Sequence, residues 1–143
     1  MNIRAASNDD LKVIAALLRE AHLPSGDITS HIDHFLVAVE NGVAIGTVGV
    51  EVYGSLGLLR SLAVEPAFQG RGIGKMLCES LMARAAGLGV EEIYLLTMNA
   101  AGFFERLGFN RVDRSGVPVE IQRTREFGEF CPASAVVMCR NIR

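Results

Sequence analysis

The stretch Gln69-Gly70-Arg71-Gly72-Ile73-Gly74 lies between a run that reads as a strand and a run that reads as a helix. Before it come Leu58-Leu59-Arg60-Ser61-Leu62-Ala63-Val64 and then Glu65-Pro66. After it, residues 75–88 are apolar at Leu77, Leu81, Ala85 and Leu88, a helical spacing. A strand that stops at a proline, turns through glycines and opens a helix aims several backbone N–H groups one way. Together with the positive end of the helix dipole they form an anion site. Gly72 and Gly74 leave no Cβ between the backbone and a phosphate. A ligand carrying a pyrophosphate is the first expectation.

The rest of the chain alternates strands and helices, which predicts an α/β fold. Residues 3–6 read as a strand. Ser7, with Asp10 three positions on, resembles a capping box that uses a short acid. Residues 9–21 follow as a helix with an apolar stripe at Leu11, Ile14, Leu17, Leu18 and Ala21. Pro24-Ser25-Gly26-Asp27 breaks it, and a short helix is expected over 28–34. Residues 35–40 and 43–53 read as a hairpin turning at Asn41-Gly42, and 56–64 as the next strand. Beyond the glycine loop, 92–96 reads as a strand and 100–107 as a helix stopped by Gly108. A strand over 109–112, a short helix over 117–127 and a closing strand over 134–139 complete the chain. There is no repeat, low-complexity tract or linker, so residues 1–143 are expected to form one domain.

Composition removes several function classes. Half of the 143 residues are hydrophobic, 21% are charged and the formal net charge is −2, so the chain lacks the basic footprint of a nucleic-acid binder. No apolar run approaches the roughly 18–20 residues of a membrane span, and residues 1–7 lack a signal core. Cys78, Cys131 and Cys139 fit neither a zinc spacing nor an even disulfide set. A cytoplasmic protein without a resident metal is expected. For the loop itself, a nucleoside-triphosphate site needs Gly-Lys-Ser/Thr, whereas Gly74-Lys75 is followed by Met76. A Rossmann site needs Gly-x-Gly-x-x-Gly early in its domain; Gly70, Gly72 and Gly74 have another spacing and arrive mid-chain.

Over essentially its whole length the chain resembles the GCN5-related N-acetyltransferases. Gln69, Gly72 and Gly74 match the family's Gln/Arg-x-x-Gly-x-Gly/Ala signature, preceded by Leu62-Ala63-Val64. Phe103-Phe104-Glu105-Arg106-Leu107-Gly108-Phe109 matches its aromatic helix ending in Leu-Gly-Phe. The C-terminal third is similar to the acetyltransferase domain of N-acetylglutamate synthases. Thr124-Arg125-Glu126-Phe127 and Cys131-Pro132-Ala133-Ser134-Ala135 resemble small bacterial N-acetyltransferases associated with arsenic resistance. The resemblance implies a mixed, mostly antiparallel sheet that splays at an acetyl-CoA site. It implies acetyl transfer to a small amino-acid-like amine, such as glutamate analogues including phosphinothricin or an arsenic-containing counterpart. A homodimer is implied by analogy alone.

Site roles follow. Acetyl-CoA would set its pyrophosphate on Gln69, Gly70, Arg71, Gly72, Ile73, Gly74 and Lys75. Its pantetheine arm would run along the backbone of Leu62, Ala63 and Val64, where an N–H can hold the developing oxyanion. Asn99 either holds the CoA arm or caps the following helix. Phe104 stands where many members carry a Tyr general acid, and a phenyl ring has no proton to give. Ser134 is the substitute donor, or an ordinary strand residue, with water able to serve. Glu51 is the candidate base, with Glu120 second, or else Glu51 is a solvent-facing carboxylate. Arg60, charged within an apolar strand, suits a substrate carboxylate, with Arg123 and Arg125 as further options; the competing reading pairs Arg60 with Glu51. His22, His31 and His34 read as solvated loop residues, and Cys131 as a buried thiol. Two alternatives stay open: a non-catalytic acyl-CoA-binding module, and an acetyltransferase for another amine such as a polyamine.

Overall fold

The computed structural model describes residues 1–130 and 134–143. Its strands are β1 (Asn2–Ala5), β2 (Phe35–Glu40), β3 (Val43–Tyr53), β4 (Leu56–Val64), β5 (Glu92–Thr97), β6 (Asn110–Arg111) and β7 (Val136–Asn141). They follow the order β1-β2-β3-β4-β5-β7-β6 in one sheet. Its α-helices are α1 (Leu11–Glu20), α2 (Ile73–Gly87), α3 (Ala101–Arg106) and α4 (Val119–Gln122). The chain divides into two compact units, Met1–Glu51 with Ser61–Arg84, and Val52–Arg60 with Ala85–Arg143.

In the first unit β1, β2 and β3 are antiparallel, with Ile3 opposite Ala38 and Leu36 opposite Val48. Asn41 and Gly42 make the hairpin turn at φ 52° and 78°, the pair of positive angles that a type I′ turn requires. The Ser7–Asp10 capping box is present, with the Ser7 N–H donating to Asp10 Oδ2 at 2.8 Å. It opens a 3-10 turn, Asn8–Asp10, so the α-helix proper starts at Leu11, two residues later than expected. The α1 stripe buries Ile14, Leu17 and Leu18 against Ile28, Ile32, Phe35, Val37 and Ala63. The segment Ile28–His34 is a 3-10 helix that contributes Ile28 and Ile32 to this core.

In the second unit β4 runs parallel to β5 only from Leu56 opposite Glu92 to Leu58 opposite Tyr94. β5 continues to Thr97, pairing antiparallel with β7 along all six residues. Leu58, Tyr94, Val117, Ile121 and Val137 form the core there. β4–β5 is the one parallel pair among those described, so the sheet is mixed and mostly antiparallel, as the resemblance implied. The helix expected over 117–127 is instead α4, followed by a π-helical turn, Glu126–Phe130. Thr124 separates them: its hydroxyl donates to Ile121 O at 2.8 Å and accepts the Phe127 N–H at 3.1 Å. The closing strand starts at Val136, so Ser134 lies in the turn before it.

Candidate functional site

The glycine loop is built by backbone conformation. Gly70 and Gly72 sit at φ 83° and 79°, in the left-handed region that side chains disfavour. A Cβ on either would meet nothing within 4 Å, so conformation and not crowding selects glycine. The Gly72 carbonyl accepts the Met76 N–H at 3.1 Å and closes the first turn of α2. The N–H groups of Ile73, Gly74 and Lys75 belong to that first turn, which has no intrahelical acceptors to offer them. Gly74 lies inside α2, so the glycine pair that shapes the turn is Gly70 and Gly72, not Gly72 and Gly74. Ile73 is buried and anchors the helix start in the core, while Lys75 is exposed.

Two side chains brace the loop. The Gln69 amide donates to Val64 O at 3.0 Å, tying the loop to the end of β4. The Arg71 guanidinium lies 3.6 Å from Glu40 and over the Phe68 ring at 5.0 Å. A small cleft of about 40 Å³ lies beside this corner, lined by Leu17, Ala21, Val64, Pro66 and Gln69 among others.

Ser61 carries a signal that the sequence hides. It sits at φ 61° within β4 and is buried. A non-glycine residue held at positive φ inside a strand stores strain, and such positions cluster at functional sites. Next to this kink Leu62 and Val64 are half-buried and Ala63 is buried in the core. The irregularity falls at Ser61 itself, and Leu62, Ala63 and Val64 remain part of β4 directly before the loop.

Glu51 is buried at 2% exposure, which overturns the solvent-facing reading. Its Oε1 lies 3.8 Å from His31 Nε2, and the same nitrogen lies 4.0 Å from Asp27 Oδ2. Asp27 is the N-cap of the 3-10 helix and His31 lies within it, and both side chains converge on Glu51 of β3. His31 is thus a partly buried member of an acid–imidazole–acid cluster rather than a solvated loop residue, and ligand-type groups do gather around it. The three donor atoms lie within 4.8 Å of one another.

In the second unit Arg60 is buried, and Glu126 is an acid beside it, with Nη2 3.9 Å from Oε2. No feature of the sequence spacing pointed to that partner. Arg123 and Arg125 are exposed, flanking the buried Thr124. Glu120 is exposed on α4, and Ser134 is exposed in its turn. Asn99 is exposed and is not the cap of α3. Ala100 holds the cap position, and its N–H donates to the Thr97 hydroxyl at 3.0 Å.

Phe104 is buried, packed edge-on against Phe103 and Phe109, and serves as core. Burial pushes the Tyr94 phenol up to about 12 and raises the Cys139 thiol beside it. The Cys78 thiol is likewise pushed to about 12 by burial, so none of these groups ionises near neutrality. Cys131, with Pro132 and Ala133, lies outside the described residues.

Comparison with known proteins places this geometry. The family model for the acetyltransferase (GNAT) domain matches residues 31–111, more than half of the chain. An uncharacterised N-acetyltransferase of Chlorobaculum tepidum is 38% identical over 98 residues, 68% of this chain and 63% of its own length. An amino-acid acetyltransferase of Neisseria meningitidis is 26% identical over 127 residues, 82% of this chain but 29% of its own length. The chain thus spans less than two thirds of these relatives. The structure of N-acetylglutamate synthase from Neisseria gonorrhoeae, complexed with coenzyme A and N-acetyl-glutamate, superposes with a TM-score of 0.86 at 24% identity. That match covers 99% of this chain and 35% of the synthase chain. The fold is shared with that structure, and the chain belongs to the GNAT acetyltransferase domain family.

Proposed function

We propose that this protein is an acetyl-CoA-dependent N-acetyltransferase acting on the amine of a small amino-acid-like molecule. The observation that carries the reading is the kink at Ser61 followed nine positions later (70 − 61) by the Gly70/Gly72 loop and then the start of α2. The loop offers backbone N–H groups to a pyrophosphate, and a helix start favours such an anion by ~0.3–1 kcal/mol at an exposed site. The backbone of Leu62, Ala63 and Val64 offers strand-like pairing to the amide-bearing pantetheine arm. One of its N–H groups polarises the thioester carbonyl and holds the oxyanion, with Asn99 a further contact for the arm.

In the reaction the amine nitrogen attacks the thioester carbon. The C–N bond forms, the C–S bond breaks, the nitrogen loses a proton and the thiolate leaves. Glu51 takes the proton, with His31 beside it able to pass the charge toward Asp27. An α-amine with pKa ~7.7–8 needs only such a modest base. Ser134 or a water protonates the thiolate, a tolerable leaving group by analogy with cysteine at ~8.5. Arg60 holds the acceptor carboxylate, with Arg123 and Arg125 as outer cations. Similarity to the Neisseria relatives, an amino-acid acetyltransferase and an N-acetylglutamate synthase, supports this acceptor class. Within it we favour glutamate analogues such as phosphinothricin and its arsenic counterpart.

The test is CoA release from acetyl-CoA with glutamate, phosphinothricin, the arsenic analogue and a polyamine as acceptors. Turnover confined to the acidic acceptors supports the reading. Turnover on the polyamine alone removes the amino-acid acceptor, and tight CoA binding with no turnover makes the protein a binding module.

A further inference from the structure

One atom of the first unit, His31 Nε2, stands 3.8 Å from Glu51 Oε1 and 4.0 Å from Asp27 Oδ2. Both separations exceed the ~2.7–3.2 Å of a hydrogen bond from a ring N–H, so the imidazole donates to neither acid. A histidine placed to bond a buried carboxylate settles on one of them. Here it stands back from two almost equally, and the three donor atoms surround one small space, all within 4.8 Å of one another.

Packed elements hold these donors. Asp27 and Glu51 are buried at 5% and 2% exposure. Ile28 and Ile32 fix the 3-10 helix in the core with Phe35 and Val37, and Val48 and Val50 bury the part of β3 that leads to Glu51. Ligand atoms on side chains held by packing are pre-placed for binding. The His31 side chain is 26% exposed and gives an ion from solvent its way in.

The donor set selects the ion. Two carboxylate oxygens and one imidazole nitrogen suit zinc-class cations, which take His and Asp or Glu together and leave a position for water. Magnesium and calcium prefer sets made of oxygen alone. The imidazole gives the ion its Nε2 lone pair, and any proton carried there leaves to solvent. Coordination at ~2.0–2.2 Å shortens the present separations, and the partly exposed imidazole is the member with room to swing.

We infer that Asp27, His31 and Glu51 bind a zinc-class divalent cation, and that this ion inhibits acetyl transfer by occupying the Glu51 carboxylate. The binding follows from the donors alone. The inhibition rests on the proposed role of Glu51 as the base: a carboxylate oxygen that gives its lone pair to a metal takes no proton from an amine. The ion is a removable inhibitor and not a resident cofactor.

The experiment is calorimetric titration of chelator-treated protein with zinc chloride, with magnesium chloride as the contrast. Zinc should bind at one equivalent per chain, and magnesium should give no comparable heat. His31→Gln should weaken zinc by at least about tenfold, the lower end of the loss when residues supporting a metal site are changed. Asp27→Asn should do the same. His34→Gln lies in the same 3-10 helix but outside the cluster and should leave zinc affinity unchanged. No saturable zinc binding, no loss in H31Q, or an equal loss in H31Q and H34Q overturns the inference. Should Asp27→Asn not fold, His31→Gln, at a partly exposed position, carries the test. CoA release then reads the inhibition: one equivalent of zinc should stop turnover and a chelator should restore it. Zinc bound at the cluster with turnover intact overturns the inhibition and leaves the site. If no acceptor turns over even in metal-free protein, the proposed acetyl transfer fails and the inhibition with it, while the titration still decides the site.

Discussion

The loop after β4 and the corner around Arg60 present opposite designs. The loop works through main-chain groups: Gly70 and Gly72 set its shape, and the side chains of Gln69 and Arg71 brace it from outside. The Arg60 corner works through side chains, with a buried cation and a buried acid brought together from distant parts of the sequence. A backbone site tolerates changes of side chain and fails when a Cβ enters the left-handed region. A buried charge site tolerates backbone variation and fails when one partner is deleted. Substitutions in each region should therefore damage different quantities.

The largest effect is expected from Arg60→Ala. It breaks the buried ion contact with Glu126, and removing one partner of a buried pair costs about 3–5 kcal/mol in comparable cases. Chemical denaturation should show it, along with lost turnover of acidic acceptors, while acetyl-CoA binding by the folded fraction stays near wild type. Glu51→Gln should lower kcat by ~10²-fold or more, the range for a general base, with acetyl-CoA affinity unchanged. A wild-type kcat would remove Glu51 from the reaction. Gly72→Val forces a branched side chain to φ 79° and should cost about 1–2 kcal/mol. Calorimetric titration should show weakened acetyl-CoA binding with glutamate KM little changed. Arg71→Ala is the matched control: its side chain is 58% exposed beside Glu40, and exposed pairs contribute ~0–1 kcal/mol.

The smallest effect lies outside both regions and marks their background. The Arg4 guanidinium holds the Asp10 carboxyl below its usual range, helped by the Ser7 backbone N–H. A folded pKa below the unfolded value of ~3.9 gives stability that is full above that pH. It is lost as pH falls through the folded value. Asp10→Asn should flatten this acid limb in urea denaturation at pH 2–5 and leave the glutamate and acetyl-CoA KM values alone.

Legibility in the sequence follows the same division. The hairpin at Asn41-Gly42, the capping box at Ser7 and the glycine loop were readable because each depends on local backbone preference. The boundaries that moved did so where irregular turns intervene: the 3-10 turn before α1, and the break at Thr124 that splits one expected helix into α4 and a π-helical turn. Glu51 read equally well as a base or as a surface acid, since period-two alternation gives a residue's face but not what covers that face. The 3-10 helix Ile28–His34 and its N-cap residue supply the cover through His31 and Asp27, a contact set by tertiary structure. Ser61 gave no hint, because serine is common in strands and only the backbone reveals its left-handed angle. Glu126 as the partner of Arg60 was out of reach for a similar reason: the two are separated by 66 positions (126 − 60) and joined only by tertiary structure.

The central claim is acetyl transfer to an acidic amino acid, and product analysis tests it most directly. Protein incubated with acetyl-CoA and glutamate or phosphinothricin should yield free CoA and the N-acetylated acceptor in equal amounts by mass spectrometry. Glu51→Gln should suppress both together. Free CoA without acetylated product, or product formation indifferent to both Glu51 and Arg60, would contradict the account.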